Sequence, residues 1–157
     1  MMRRLGLLSV GLLLAGCATT SAPPPPPPAA ISSLDGVAQF RVTGDRAATC
    51  SGFSVAMWAE TARSRDRMQT LYGSAEHAIE PVGVVKARTA GLPPGDPPIG
   101  SASCDAEGVF AFSSVEPGAY YLLTHLKIVP GKPSDELVLL QRVVVRPGEA
   151  RHVRLVP

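Results

Sequence analysis

Several things are missing from this chain of 157 residues. There is no apolar run of the roughly 20 residues that a membrane-spanning helix needs. The pattern Gly-x-Gly-x-x-Gly is absent, as are Gly-x-x-x-x-Gly-Lys-Ser/Thr, His-Glu-x-x-His and Gly-x-Ser-x-Gly. Dinucleotide and P-loop sites, zinc-protease helices and the serine-hydrolase elbow therefore have no sequence footing. Charge is nearly balanced, with 15 basic and 13 acidic residues. Cysteine is scarce, with three in all, no Cys-x-x-Cys and no histidine close to Cys50 or Cys104. These absences point to a non-catalytic protein without a cofactor.

What is present begins at the amino terminus. Arg3 and Arg4 precede an apolar stretch over residues 5–15, interrupted by Gly6, Ser9 and Gly11. A basic start followed by a short apolar run is the pattern of a secretory signal peptide. The run ends in Leu14-Ala15-Gly16-Cys17, which resembles the bacterial lipobox. That resemblance implies cleavage after residue 16 and a diacylglycerol on the Cys17 sulfur, with Leu14, Ala15 and Gly16 as the recognition residues. An ordinary signal peptide that happens to contain a cysteine is the competing reading. Two or three acyl chains give stable anchoring where one would be marginal. The lipid bilayer is thus an expected partner through acylated Cys17. Ala18 in place of the inner-membrane-retaining aspartate of enteric-type bacteria points to the outer membrane, facing the periplasm.

Removal of residues 1–16 takes Arg3 and Arg4 with it, leaving 13 basic against 13 acidic residues. The basic excess belongs to the leader, so nucleic acid is not an expected partner. With Cys17 lipidated, Cys50 and Cys104 remain, and an oxidising compartment favours a disulfide between them. Two free thiols or half a metal site are the alternatives.

Residues 17–33 form a low-complexity linker with six consecutive prolines, Pro23 to Pro28. At about 3.1 Å per residue, six prolines make a rod of roughly 19 Å. Residues 34–157 form the folded domain, and their short apolar segments and frequent turns predict an all-β fold. Strands are expected over 37–43, 53–58, 82–88, 99–104, 120–128, 137–145 and 152–156, with another through Phe110 and Phe112. That count of about seven or eight fits a small two-sheet β-sandwich. Residues 61–78 read as a short helix or a long loop, and the proline-rich residues 90–98 as a rigid surface loop.

Gly108-x-Phe-x-Phe-x-x-Val-x-Pro-Gly-x-Tyr-x-Leu, ending at Leu122, resembles the signature of carboxypeptidase regulatory-like domains, which have a transthyretin-like sandwich. The resemblance covers about 20 residues. It implies that an acidic-Gly turn starts a strand whose aromatics fill the core, and it implies a non-catalytic accessory role. Cys104 stands where threonine is common, a departure that suits a bridge to Cys50.

Candidate sites are sparse. His77 and Glu80 would share a face on a helix, but a zinc site needs a third protein ligand. Ser74 and His77 are close in sequence without a nucleophile elbow. Arg63, Arg65 and Arg67 could contact an anionic polymer or head group, although Asp66 lies among them and such runs are commonly solvated. Trp58 and Tyr72 could stack on a sugar, whereas Trp58 in an alternating strand reads as core. The expected function is a lipid-anchored structural or interaction module with an envelope protein as partner. The alternative is a binding module for an envelope glycan or other small ligand, with a hydrolase as the remote third.

Overall fold

The computed structural model describes residues 31–157, so Leu14, Ala15, Gly16, Cys17 and the proline run lie outside the described residues. The chain folds into a β-sandwich with a three-stranded and a seven-stranded sheet. Among the described residues there are ten strands, more than expected, together with two α-helices and a 3-10 turn at Pro133–Asp135.

The seven-stranded sheet is organised by one long strand. In chain order its members are β2 (Gln39–Arg41), β3 (Ala47–Thr49), β4 (Ser54–Ala59), β5 (His77–Pro81), β6 (Gly100–Ser103), β8 (Gly118–Val129) and β9 (Leu137–Val145). β8 pairs with β9 from Gly118 to Leu126 along one edge. Along its other edge it pairs first with β4 and then, near its end, with β3. β5 extends the sheet beyond β9, β6 beyond β4, and β2 beyond β3. The small sheet places β1 (Ser32–Val37) between β7 (Val109–Val115), antiparallel, and β10 (Ala150–Arg154), parallel.

Side-chain alternation divides β8 between two environments. Tyr120, Leu122, Leu126 and Ile128 enter the core between the sheets with Leu34, Phe110, Phe112 and Val153. Tyr121 and Leu123 point to the opposite face of the same sheet. The two phenylalanines of β7 meet edge to face, with ring centroids 6.1 Å apart. At Gly36, in the middle strand of the small sheet, the flanking residues leave no room for a side chain: an added Cβ would lie 2.8 Å from the Phe110 ring and would collide with Val153.

The expected turns form as their chemistry dictates. Asp105 Oδ1 accepts from the Glu107 and Val109 amides at 3.0 and 2.7 Å, and Gly108 takes φ +76°. Past the Glu116-Pro117-Gly118 turn, the Tyr120 hydroxyl donates to the Glu116 carbonyl at 2.6 Å. Cys50 and Cys104 form a disulfide in the core.

Two of the expected strands are corrected. The strand predicted over 37–43 is two strands in different sheets, because the chain crosses between sheets at Ala38. This residue is fully buried and small; its amide donates to Gly108 O at 2.9 Å and its carbonyl accepts from Cys50 N at 3.0 Å. Strand pairing begins at Ser32.

The strand predicted over 82–88 is instead helix α2 (Val82–Thr89). The preceding β5 fills the pairing edge of β9, so the chain turns out of the sheet at Pro81. A short helix of β-branched residues is intrinsically weak and depends on packing. Here Val85 is buried, and Lys86 and Arg88 occupy the last turn, where cations suit the helix dipole. Residues 61–78 resolve into α1 (Ala62–Tyr72) and the start of β5. Thr61 caps α1 by accepting from the Ser64 amide at 3.0 Å, the Ser64 hydroxyl accepts from the Thr61 amide at 2.8 Å, and Gly73 ends the helix at φ +73°. Its buried residues Ser64, Met68, Leu71 and Tyr72 form one stripe.

Candidate functional site

The two helices cover the outer face of the large sheet, and a second apolar cluster lies beneath them. Met68, Leu71 and Tyr72 of α1 and Val85 of α2 pack against Tyr121, Val138 and Leu140. The helices do not seal this face. A cleft of about 640 Å³ remains between them, floored by Ala56, Leu123 and Val138 and walled by Met68, Leu71 and Val85. That volume is in the usual range for small-ligand sites, roughly 300–1,000 Å³.

One rim of the cleft is the proline-rich loop over 90–98, fastened to α1 and β4 by side chains. Trp58 Nε1 donates to Asp96 O at 2.9 Å, and Arg67 Nη1 donates to Pro93 O at 2.8 Å. Arg63 reaches Pro94 O at 3.5 Å and lies 3.7 Å from the Asp96 carboxylate. A Cβ on Gly95 would meet Arg67 Nε at 2.6 Å, so the loop lies directly against the guanidinium.

The charged lining is mostly cationic. Arg63, Arg67 and Lys86 border the cleft with a single carboxylate, Asp96. Arg63 is engaged by Asp96, whereas Arg67 and Lys86 have no carboxylate within ion-pair distance among the described residues. Burial pushes the Tyr72 phenol up to about 12, with the neighbouring Arg67 pulling weakly the other way. Tyr72 is therefore a neutral hydroxyl at physiological pH.

The helix separates the three arginines expected to act together. Arg63 and Arg67 are four apart and share the cleft side of α1. Arg65 points elsewhere and pairs with Glu60. Arg142 takes the other oxygen of that carboxylate, with Nη2 at 2.7 Å and Nε at 2.8 Å. These bonds, Arg142 first, hold the Glu60 carboxyl below its ordinary 4.5 against the opposing effect of burial, with Arg65 adding to the lowering. A depressed carboxyl stabilises the fold above its ordinary value, and that contribution is lost as pH falls through the folded value. Glu60→Gln is therefore expected to lose about 1 kcal/mol at neutral pH, since both arginines also reach water. The difference from wild type should vanish under acid; thermal melts across that range check it.

Trp58 is not a sandwich-core residue. Val55 and Met57 take the inner face of β4, leaving Trp58 half-buried on the outer face at the cleft. His77 and Glu80 lie on a strand, where residues three apart face opposite ways. His77 Nε2 is 2.7 Å from Val156 O, and Glu80 accepts from Arg88 at 3.1 Å. Ser74 Oγ accepts from the Glu76 and His77 amides at 3.1 and 3.2 Å, the bonding of a turn. No group of three or more His, Cys, Asp or Glu placed to hold a metal occurs among the described residues. Sequence reasoning missed the α2 contribution. The spacing Val82, Val85, Lys86, Thr89 was the available signal, since it matches one helical face and all four border the cleft.

No protein-family model matches the chain, and no curated protein matches it. Among solved structures, the chain is similar to a Pseudomonas aeruginosa protein described as a proposed carbohydrate binding protein, at 14% identity and a TM-score of 0.48, covering 82% of this chain and 90% of that one.

Proposed function

We propose that this protein is a lipid-anchored, non-catalytic binding module of the cell envelope whose cleft receives a small ligand. The observation that carries this reading is the cleft itself: some 640 Å³ of mainly apolar surface, framed by two helices and a pinned loop. Helices covering a sheet face ordinarily close over it, as apolar burial is favourable. Here they part above Ala56 and Leu123. The Leu14-Ala15-Gly16-Cys17 sequence supports placement at a membrane, and the resemblance to carboxypeptidase regulatory-like domains is in keeping with an accessory role.

A cleft-filling variant tests the reading. Ala56 stands on the floor, beside Trp58 on the same face of β4. Ala56→Phe is expected to abolish the stabilisation that any binding compound gives wild type in a thermal-shift screen of glycans, amphiphiles and small metabolites. Compounds that stabilise both proteins equally would bind elsewhere and defeat the assignment. A protein partner remains the second reading, because β10 pairs with β1 alone among the described residues and leaves its outer edge open to an added strand.

A further inference from the structure

We infer that the cleft is built for a single amphiphile with an apolar body and an anionic head, of the long-chain carboxylate class. The inference rests on reading the cleft as a ligand site and concerns which chemistry it admits.

The depth of the cleft disfavours polar ligands. Three of its hydroxyls and its indole are already committed within the protein, leaving the hydroxyls of Tyr72 and Ser54 at the lining. Ser64 Oγ donates to Ala59 O at 2.9 Å, Thr89 Oγ1 to Val85 O at 2.7 Å and Thr124 Oγ1 to Ser54 O at 3.1 Å, while Trp58 Nε1 is taken by Asp96 O. A sugar entering here would lose water from many hydroxyls and find few free partners, a cost that Tyr72 and Ser54 offset only in part. The remaining surface is that of Met68, Leu71, Val85, Leu123 and Val138, which accepts methylene or aromatic groups.

The mouth requires the opposite chemistry. Arg67 on α1 and Lys86 on α2 both border the cleft, and neither has a carboxylate partner among the described residues. Arg67 spends one nitrogen on Pro93 O, and its remaining donors suit a carboxylate. Asp96 is occupied by Arg63, so the mouth carries excess positive charge. An apolar chain in the depth therefore brings its anionic end between Arg67 and Lys86.

The only tryptophan of the chain, Trp58, borders this cleft, so intrinsic fluorescence reports directly on its contents. The experiment titrates the mature form, residues 17–157 carrying Cys17→Ser, which has neither leader nor acyl chain and needs no detergent, with dodecanoate below its micellar range. Dodecanol and dodecyltrimethylammonium supply the same body with a neutral and a cationic head, and a maltooligosaccharide supplies hydroxyls alone. Saturable emission change is expected with dodecanoate, with the other three at least tenfold weaker. Lys86 is exposed, so Lys86→Glu removes no core contact, and an unchanged melting temperature checks that α2 is kept. The substitution should weaken dodecanoate roughly fivefold to tenfold, the size of one partly hydrated charge-assisted contact, and strengthen the cationic amphiphile.

Equal binding of all three dodecyl compounds, indifferent to Lys86→Glu, would overturn the anionic preference and leave the ligand cleft standing. Preferential binding of the oligosaccharide would do the same in favour of a glycan. If no probe moves Trp58 emission, and Ala56→Phe binds every compound as wild type does, the cleft assignment fails with it.

Discussion

Replacing Cys50 and Cys104 together with alanine is expected to lower stability by about 4 kcal/mol, a fall of roughly 12–20 °C in melting temperature. The bridge closes a loop spanning a sequence separation of 54 residues, so its loss restores much chain freedom to the unfolded state. Both sulfurs lie in the sandwich core, where Cys50 is fully buried. Alanine is preferred to serine because a buried hydroxyl would add its own cost. Domains of this size have only about 5–15 kcal/mol in total, so the variant should be close to marginal. Calorimetry of wild type with and without reductant measures the effect. A shift of only a degree or two would mean that the 50–104 loop is restrained without the bridge.

Cys17→Ser is expected to move the protein almost completely from the membrane pellet to the soluble fraction. With no helix among the described residues long and apolar enough to cross a membrane, the proposed anchoring depends on the acyl chains carried by Cys17. Metabolic labelling with a fatty acid should mark wild type and not the variant. Retention of the unlabelled variant in the pellet would end the lipobox reading. The melting behaviour of the domain should be unchanged, which separates a targeting defect from a folding one.

The strands that could be read from sequence are those whose two faces have different fates. Phe110 and Phe112 alternate with exposed residues on β7, and Asp105 and Gly108 set the turn before them, so local chemistry fixes that turn and strand. The stretch 137–145 was placed correctly as β9. Its first half carries a further signal, since Val138, Leu139 and Leu140 are all buried. An apolar run of this kind marks a strand covered on both faces, which is where the helices lie.

The helices were harder to read because of their composition. α2 contains three valines in its first four residues, Val82, Val84 and Val85, and β-branched residues favour strands. Only the occupied edge of β9, a tertiary fact, excludes the strand. The cleft was invisible for a similar reason. Its residues come from β4, α1, α2, β8 and β9, and nothing local brings Trp58, Arg67, Lys86 and Leu123 together. Trp58 shows the consequence: alternation correctly gave it a face, but the sequence did not say that the opposite face of β4 was the sandwich core.

The placement of β1 has a mechanical consequence. The linker enters the domain at the first strand, and that strand is the middle one of its sheet, bonded to β7 on one side and β10 on the other. If the chain is tethered through residues before Ser32, tension on the tether runs along β1 and is resisted by both hydrogen-bond ladders at once, in shear. An edge strand pulled from its end would give way one bond at a time. Membrane motion or a tug from a bound partner is thus absorbed by the small sheet, on the far side of the sandwich core from the cleft.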